Sequence, residues 1–312
     1  MKTLLACFLL GTTLCAAANA PAEAAPDEDK KAREAIAALM SAGKHAEAEQ
    51  AAQTLAEARI QEMGAENERS LMARKLWMWA LVHSGKEAEA EKQARALLPV
   101  MQRVFGKEDT KTLHCQEGLV EALEELGKYA EAEPVLRSLI ELESRVLGPE
   151  AEETLTDRGN WVAILMELGR LKEADKELRV LVGIQERVLG TDSPQALRSR
   201  HNLGALLYTL DQYAEAEPLL RGVLAARVRV LGPEHEDTLK SRNSLATTLF
   251  QEGKHAEALA EGQATLSIRT RKLGPEHPDT LSSRIAVAAA VACLGKAEEA
   301  EKELLAVLAV ID

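Results

Sequence analysis

Aromatic residues are scarce in this chain of 312 residues, at 3% for Phe, Trp and Tyr together. A protein built on sheets draws on aromatic and β-branched side chains, so this poverty argues against strands. Ala, Leu and Glu dominate instead, which is the composition of closely packed helices, and the expectation is an all-α fold. Cysteine is nearly absent. Of four, Cys7 and Cys15 lie in the first twenty residues, leaving Cys115 and Cys293 more than four repeat lengths apart. With neighbouring helices about 8–10 Å apart, that pair cannot reach the ~5.5 Å Cα separation of a disulfide, so both are expected to be buried thiols. Positive charge is also short, with 38 Lys and Arg against 50 Asp and Glu and a net charge of −12. A general nucleic-acid binder needs a basic surface to exchange for counterions, and that class is excluded.

The chain starts with Lys2, an apolar run from Leu4 to Leu14 and the small residues Ala16 to Ala20. The run is shorter than the roughly 20 apolar residues of a spanning helix, and the pattern is that of a secretory leader. Ala18-Asn19-Ala20 fits a cleavage site, but Pro21 would follow the cut, so cleavage after Ala18 or Ala22 competes. Bulky Leu14 before Cys15 argues against lipid attachment. The alternative is an uncleaved membrane anchor. The expected organisation is a leader over 1–20, a short linker over 21–27 and a repeat domain over 28–312.

A fixed period then sets the architecture. Glycines recur every 42 residues at Gly64, Gly106, Gly148, Gly190, Gly232 and Gly274. A second series, offset by half a period, runs through Gly43, Gly85, Gly127, Gly169, Gly253 and Gly295, interrupted only by Asp211. Each repeat is therefore two halves, each closed by a residue that tolerates the left-handed conformation ending a helix. Leu71, Leu113, Leu155, Leu197, Leu239 and Leu281 form one column, and Ala48, Ala90, Ala132, Ala174, Ala216, Ala258 and Ala300 another. The alanine column marks a close helix contact that only a small side chain permits. The Glu preceding each alanine compensates the helix dipole in the first turn. Each half has helical periodicity, giving amphipathic helices of about 17 residues. The reading is a right-handed α-solenoid of about seven helix-turn-helix repeats. Pro134 and Pro218 fall in second helices, where an interior proline costs about 3 kcal/mol, so they are expected near the helix start or at a kink. The short first pair, starting with Asp27 to Ala42, reads as a cap.

Signals for chemistry are missing. The seven histidines have no ligand spacing, and His235 and His277 recur only because their loop recurs. No metal, cofactor or catalytic group is expected. Between Glu121 and Glu153 ten Glu face only Lys128, Arg137 and Arg145. These carboxylates are expected on solvated helix faces. Trp77 and Trp79, two apart, cannot both enter the core.

The stretches Val-Leu-Gly-Pro-Glu-His-Glu-Asp-Thr-Leu at 230–239, Lys-Leu-Gly-Pro-Glu-His-Pro-Asp-Thr-Leu at 272–281 and Tyr-Ala-Glu-Ala-Glu-Pro-Leu-Leu-Arg at 213–221 resemble kinesin light chain tetratricopeptide repeats. The resemblance covers about 66–312 and implies a non-enzymatic scaffold whose first helices line a concave, peptide-binding groove. It does not imply a kinesin motor, since such repeats are widespread in bacteria. One group of exported-looking bacterial light-chain-like proteins is associated with bacterial tubulin filaments, and a bacterial kinesin light chain is one form this chain could take. Asn160 and Asn202 share a repeat position, with Asn243 one place earlier in its repeat, and the family uses such asparagines to hold a peptide backbone. Beside them run Arg158, Arg200, Arg242 and Arg284, preceded by Arg74, with Arg198 and Lys240 nearby. These cations are suited to carboxylates, giving an expected acidic, extended partner; the alternative is that the arginines pair with Glu of neighbouring repeats. The leading function is an exported adaptor, periplasmic or secreted, that binds a protein or peptide segment. The competing one is a tether joining an assembly or tubulin-like filament to a membrane through the N-terminus. Oligomeric state is open.

Overall fold

The computed structural model describes residues 27–311, so the leader and most of the linker lie outside the described residues. The described residues form fourteen α-helices and no strand. In chain order these are α1 Asp27–Ser41, α2 His45–Met63, α3 Glu68–His83, α4 Glu87–Val104, α5 Thr110–Glu125, α6 Tyr129–Val146 and α7 Glu152–Glu167. They continue with α8 Leu171–Leu189, α9 Pro194–Thr209, α10 Tyr213–Leu231, α11 Glu236–Gln251, α12 His255–Leu273, α13 Pro278–Cys293 and α14 Ala297–Ile311. Seven helix pairs result. No helix among the described residues is long and apolar enough to cross a membrane. The chain divides into two compact units, one ending at Asp157 and the other starting at Arg158. Within the first, α1 to α6 pack in sequence and α3 also lies against α5; within the second, α8 to α14 pack in sequence and α9 lies against α11.

The helices start and stop for local reasons. Asn67, Asp109, Ser193, His235 and His277 sit at N-caps and accept hydrogen bonds from the amides of Arg69, Lys111, Ala196, Asp237 and Asp279. The recurring histidines are thus capping residues. Pro194 and Pro278 occupy first-turn positions, where the missing amide is no loss. First helices close differently: the amide just after the left-handed residue reaches back five positions, as in Lys86 to Leu81 and Lys128 to Leu123. This bond requires a left-handed residue between them. Asp211 fills that role at φ 59°, the one non-glycine residue with positive φ among those described. The gap in the glycine series is therefore a change of side chain without a change of conformation.

The two sequence columns form the core. The seven alanines are between 0 and 5% exposed and the six leucines between 0 and 8%. The glutamates before the alanines sit in first turns. Several also accept from an arginine one repeat earlier, as in Arg95–Glu131 and Arg221–Glu257. A parallel set joins Lys86 to Glu49, Lys128 to Glu91 and Lys254 to Glu217.

Helix lengths and one cysteine differ from expectation, and the prolines fall inside their helices. The left-handed closures stay 21 residues apart, but first helices have 16 residues and second helices 18 or 19, except at the chain ends, instead of the expected uniform length of about 17. Pro134 and Pro218 lie six residues into α6 and α10, beyond the first turn, and the helices run through them. Pro99 does the same inside α4. Cys293 is exposed, because it falls in the last turn of α13, while Cys115 is buried as expected.

Close packing leaves little room for a side chain at Gly204. A Cβ at Gly204 in α9 would lie 2.6 Å from Leu220 Cδ2 and 2.7 Å from its Cγ, and Leu220 is fully buried. Gly204→Ala gains about 1 kcal/mol of helix preference but overpacks at about 1–3 kcal/mol. The expected result is a lower urea midpoint; a higher one would mean that Leu220 has room to turn away.

Candidate binding site

All eight residues singled out for partner binding fall in the second unit. Arg198 and Asn202 are exposed on α9, Asn160 is exposed on α7, and Lys240 is exposed on α11, where it pairs with Glu236 at 2.6 Å. Asn243 is half-buried and lines a cleft of about 180 Å³ with Tyr208, Phe250, Thr247, Ala286 and Ala290. Small residues on α13 leave that space, and the aromatics of α9 and α11 wall it.

The arginine column is differently employed. Arg158 pairs with Glu177 at 2.5 Å, Arg242 with Glu261 at 3.2 Å and Arg284 with Glu303 at 2.5 Å, in each case on the second helix of the same repeat. Arg200 has a leucine at that partner position, Leu219, and instead pairs with Glu186 of α8 at 3.4 Å. The four side chains are only 14 to 19% exposed. A half-enclosed guanidinium already neutralised by a carboxylate holds helices together, leaving less of its charge for a ligand.

The cations that do face outward are Arg198 and Lys240, and a buried arginine reinforces them. Arg227 is 5% exposed and donates from one terminal nitrogen to the Asp237 carbonyl at 2.9 Å and to Ser241 Oγ at 2.7 Å. His201 beside it is held at about 4 by burial, with Arg227 and Lys240 adding repulsion. It is therefore neutral at pH 7 and leaves the local field to the permanent cations.

The first unit has the opposite character, and the expectation of solvated carboxylates fails there. Burial pushes Glu117 up to about 8 and both Glu121 and Glu124 up to about 7, with neighbouring carboxylates adding to each shift. Glu143 of α6, only 1% exposed, is driven up too, by burial first and then by Asp157 and Glu117. Lys75 of α3 is the cation acting on Glu117, and burial lowers its own pKa. Cys115 beside Lys75 is pushed up to about 12 by burial and is no nucleophile. Trp77 packs into the core clusters of the first two helix pairs, while Trp79 stacks near His83 with ring centroids 6.2 Å apart.

The column that sequence reading missed runs at the same 42-residue spacing: Arg59, Met101, Glu143, Gln185, Arg227 and Arg269. Arg269 donates to the Asp279 carbonyl and to Ser283 Oγ at 2.8 Å, as Arg227 does one repeat earlier. Each reaches a serine on the next first helix. Glu143 and Asp157 occupy those two positions in their repeat. The signal was present as a column of mixed chemistry, which a search for repeated identity passes over.

The tetratricopeptide repeat family matches this chain over residues 196–237 and again over 237–311. Residues 196–311 are tetratricopeptide repeats. The fold of these repeats is shared with a crystal structure of a kinesin light chain with nearly identical repeats, from Podosopora anserina. That chain is 24% identical, with a TM-score of 0.59, covering 65% of this chain and 96% of that one. BtubC (BKLC) from P. vanneervenii is 15% identical at a TM-score of 0.59, over 75% of this chain and 90% of that one. A tetratricopeptide repeat protein from Parabacteroides merdae is 16% identical at 0.58, over 90% and 93%. No protein of curated function matches the chain by sequence. The repeats imply a protein–protein interaction scaffold, a fold whose members are typically without enzymatic activity.

Proposed function

We propose that the second unit binds an extended, acidic protein segment across its first helices, α9, α11 and α13, and that the chain is a non-enzymatic adaptor. The observation that carries this reading is the cleft at Asn243, in which a side-chain amide stands beside two aromatic rings. Asn202 and Asn243 offer a donor and an acceptor to a peptide backbone, and the cleft offers apolar surface to a side chain. Exposed Arg198 and Lys240 favour carboxylates on the partner and speed its approach. The arginine column positions the helices that carry these groups. The leader-like residues 1–20 support placing the binding outside the cytoplasm.

The test uses a displayed library of extended peptides selected on the full chain. Enrichment of acidic peptides, and an affinity about 10–100-fold lower for Asn202→Ala combined with Asn243→Ala, is the expected result. Selected peptides that bind the double variant as tightly as the parent would remove these asparagines from the function. Asn160→Ala, tested alone, separates a contribution from α7.

A further inference from the structure

Three carboxylates of the first unit converge: Glu117 from α5, Glu143 from α6 and Asp157 from α7 each place an oxygen within 4.8 Å of the others. Glu143 and Asp157 are buried and Glu117 is half-buried. The Glu143 carboxyl is in hydrogen-bond contact with Asp157 inside the cluster, but its Oε2 is enclosed and receives no N–H or hydroxyl donor. An enclosed carboxylate oxygen without a donor is costly, so its position demands a proton or a cation. Two later repeats place a cation in the equivalent space. At the same two repeat positions Arg227 meets Ser241 and Arg269 meets Ser283, so a guanidinium supplies positive charge to this inter-helix space. In the Glu143–Asp157 repeat the fixed cation is gone and two anions replace the cation and the serine. Lys75 of α3 acts on Glu117 alone of the three, and burial lowers its own pKa, so it offsets only part of the missing charge.

We propose that Glu117, Glu143 and Asp157 form a binding site for a hard divalent cation, with calcium the best fit. Three carboxylate oxygens at this spacing match the oxygen-only coordination of Ca²⁺ at about 2.3–2.6 Å, and no thiolate or imidazole is among them to favour zinc or copper. Magnesium fits less well, because it holds several waters in a strict octahedron and two of these three ligands are buried. The half-buried Glu117 gives the ion its route in and leaves room for water on that side. The three ligands come from three successive helices. Binding therefore ties α5, α6 and the start of α7 together, the task done by Arg227 and Arg269 elsewhere. This site is separate from the peptide face of the second unit and does not rest on that reading.

The full chain, stripped with a chelator, is melted at pH 7.5 across a range of calcium concentrations, and Mn²⁺ is titrated in as a spectroscopic probe. The expected result is a melting temperature that rises with calcium and a loss of the free Mn²⁺ signal at one ion per chain. Glu143→Arg combined with Asp157→Ser installs the pair the chain uses elsewhere, and it is expected to fold while losing both responses. Should that variant fail to fold, Glu117→Gln, at the more open position, is expected to weaken calcium binding at least tenfold. Identical melting with and without calcium, as protons shared among the carboxyls would give, overturns the proposal. So does a calcium response that survives in the double variant, or one that Glu117→Gln leaves at the parent's calcium concentration, because the ion would then sit elsewhere.

Discussion

Ala90→Leu is expected to lower the stability of the first unit by on the order of 3 kcal/mol, the upper end of what overpacking a core costs. Ala90 is fully enclosed and lies in a cluster with Leu81, Val82 and Ala122, with Trp77 packed against it. These neighbours come from the first helix of its own repeat and the first helix of the next. A larger side chain therefore pushes apart two interfaces at once. Leu and Ala have similar helix preferences, so the loss reads packing alone. The control is Ala88→Leu, two residues earlier on the same helix, where the side chain is exposed and the change should stay within about 0.5 kcal/mol. Urea denaturation of both variants decides it. Equal midpoints would show that the helix pair has slack, and that the seven alanines answer to something other than close approach.

Stability of the first unit should fall as pH rises from about 5 to about 8, the reverse of a protein held by ordinary carboxylate ion pairs. Glu121 and Glu124 are pushed up to about 7, by burial first, then by Glu125 for Glu121 and by Glu121, Asp157 and Glu125 for Glu124. No cation is among the groups acting on them. In the unfolded chain both titrate near 4.5. Below that value they are protonated in both states and cost nothing. Between it and 7 the folded state holds protons that the unfolded state has released, so each rise in pH favours unfolding until the folded groups ionise. At about 1.4 kcal/mol per unit, reduced because both side chains remain partly solvated, the pair contributes about 1–2 kcal/mol. Acid-side loss has a different origin, since Lys128 and then Arg95 hold Glu91 below the usual range and that gain disappears as pH drops. Urea midpoints measured with a chelator present, on the parent and on Glu121→Gln with Glu124→Gln, test the assignment. The double variant should reduce the slope between pH 5 and 8, leaving the part that Glu117 and Glu143 contribute, and an unchanged slope would place the titration elsewhere.

The two candidate sites were legible to different degrees. Asn202, Asn243, Arg198 and Lys240 could be named because they repeat or nearly repeat, and position within a repeat fixes which helix face a residue shares. Their neighbours could not: Tyr208 and Phe250 occupy one repeat position on α9 and α11, but the cleft beside them exists because Ala286 and Ala290 on α13 are small. The arginine column was seen as well, but its role depended on Glu177, Glu261 and Glu303, each at the same offset on the facing helix. That offset carries information only once the hairpin is folded. The acidic cluster was invisible for the same reason. Glu117, Glu143 and Asp157 have no ligand spacing along the chain and meet because three helices stack.

What the sequence determined by itself is the repeat: its 42-residue period, its left-handed closures, its alanine and leucine columns and its all-helical class. These are local or periodic properties, since a turn needs a residue that accepts positive φ and a helix interface needs small residues at fixed intervals. The tertiary structure decided which charges are spent and which are free. Arg158 and Arg198 look alike in the sequence, yet one is enclosed with a glutamate and the other faces water. Glu143 and Glu141 are two residues apart, yet one is buried among carboxylates and the other lies exposed beside Arg137. Burial and pairing depend on what the neighbouring helix presents. The energy of a charge depends on both, so its function is fixed only when the helices pack.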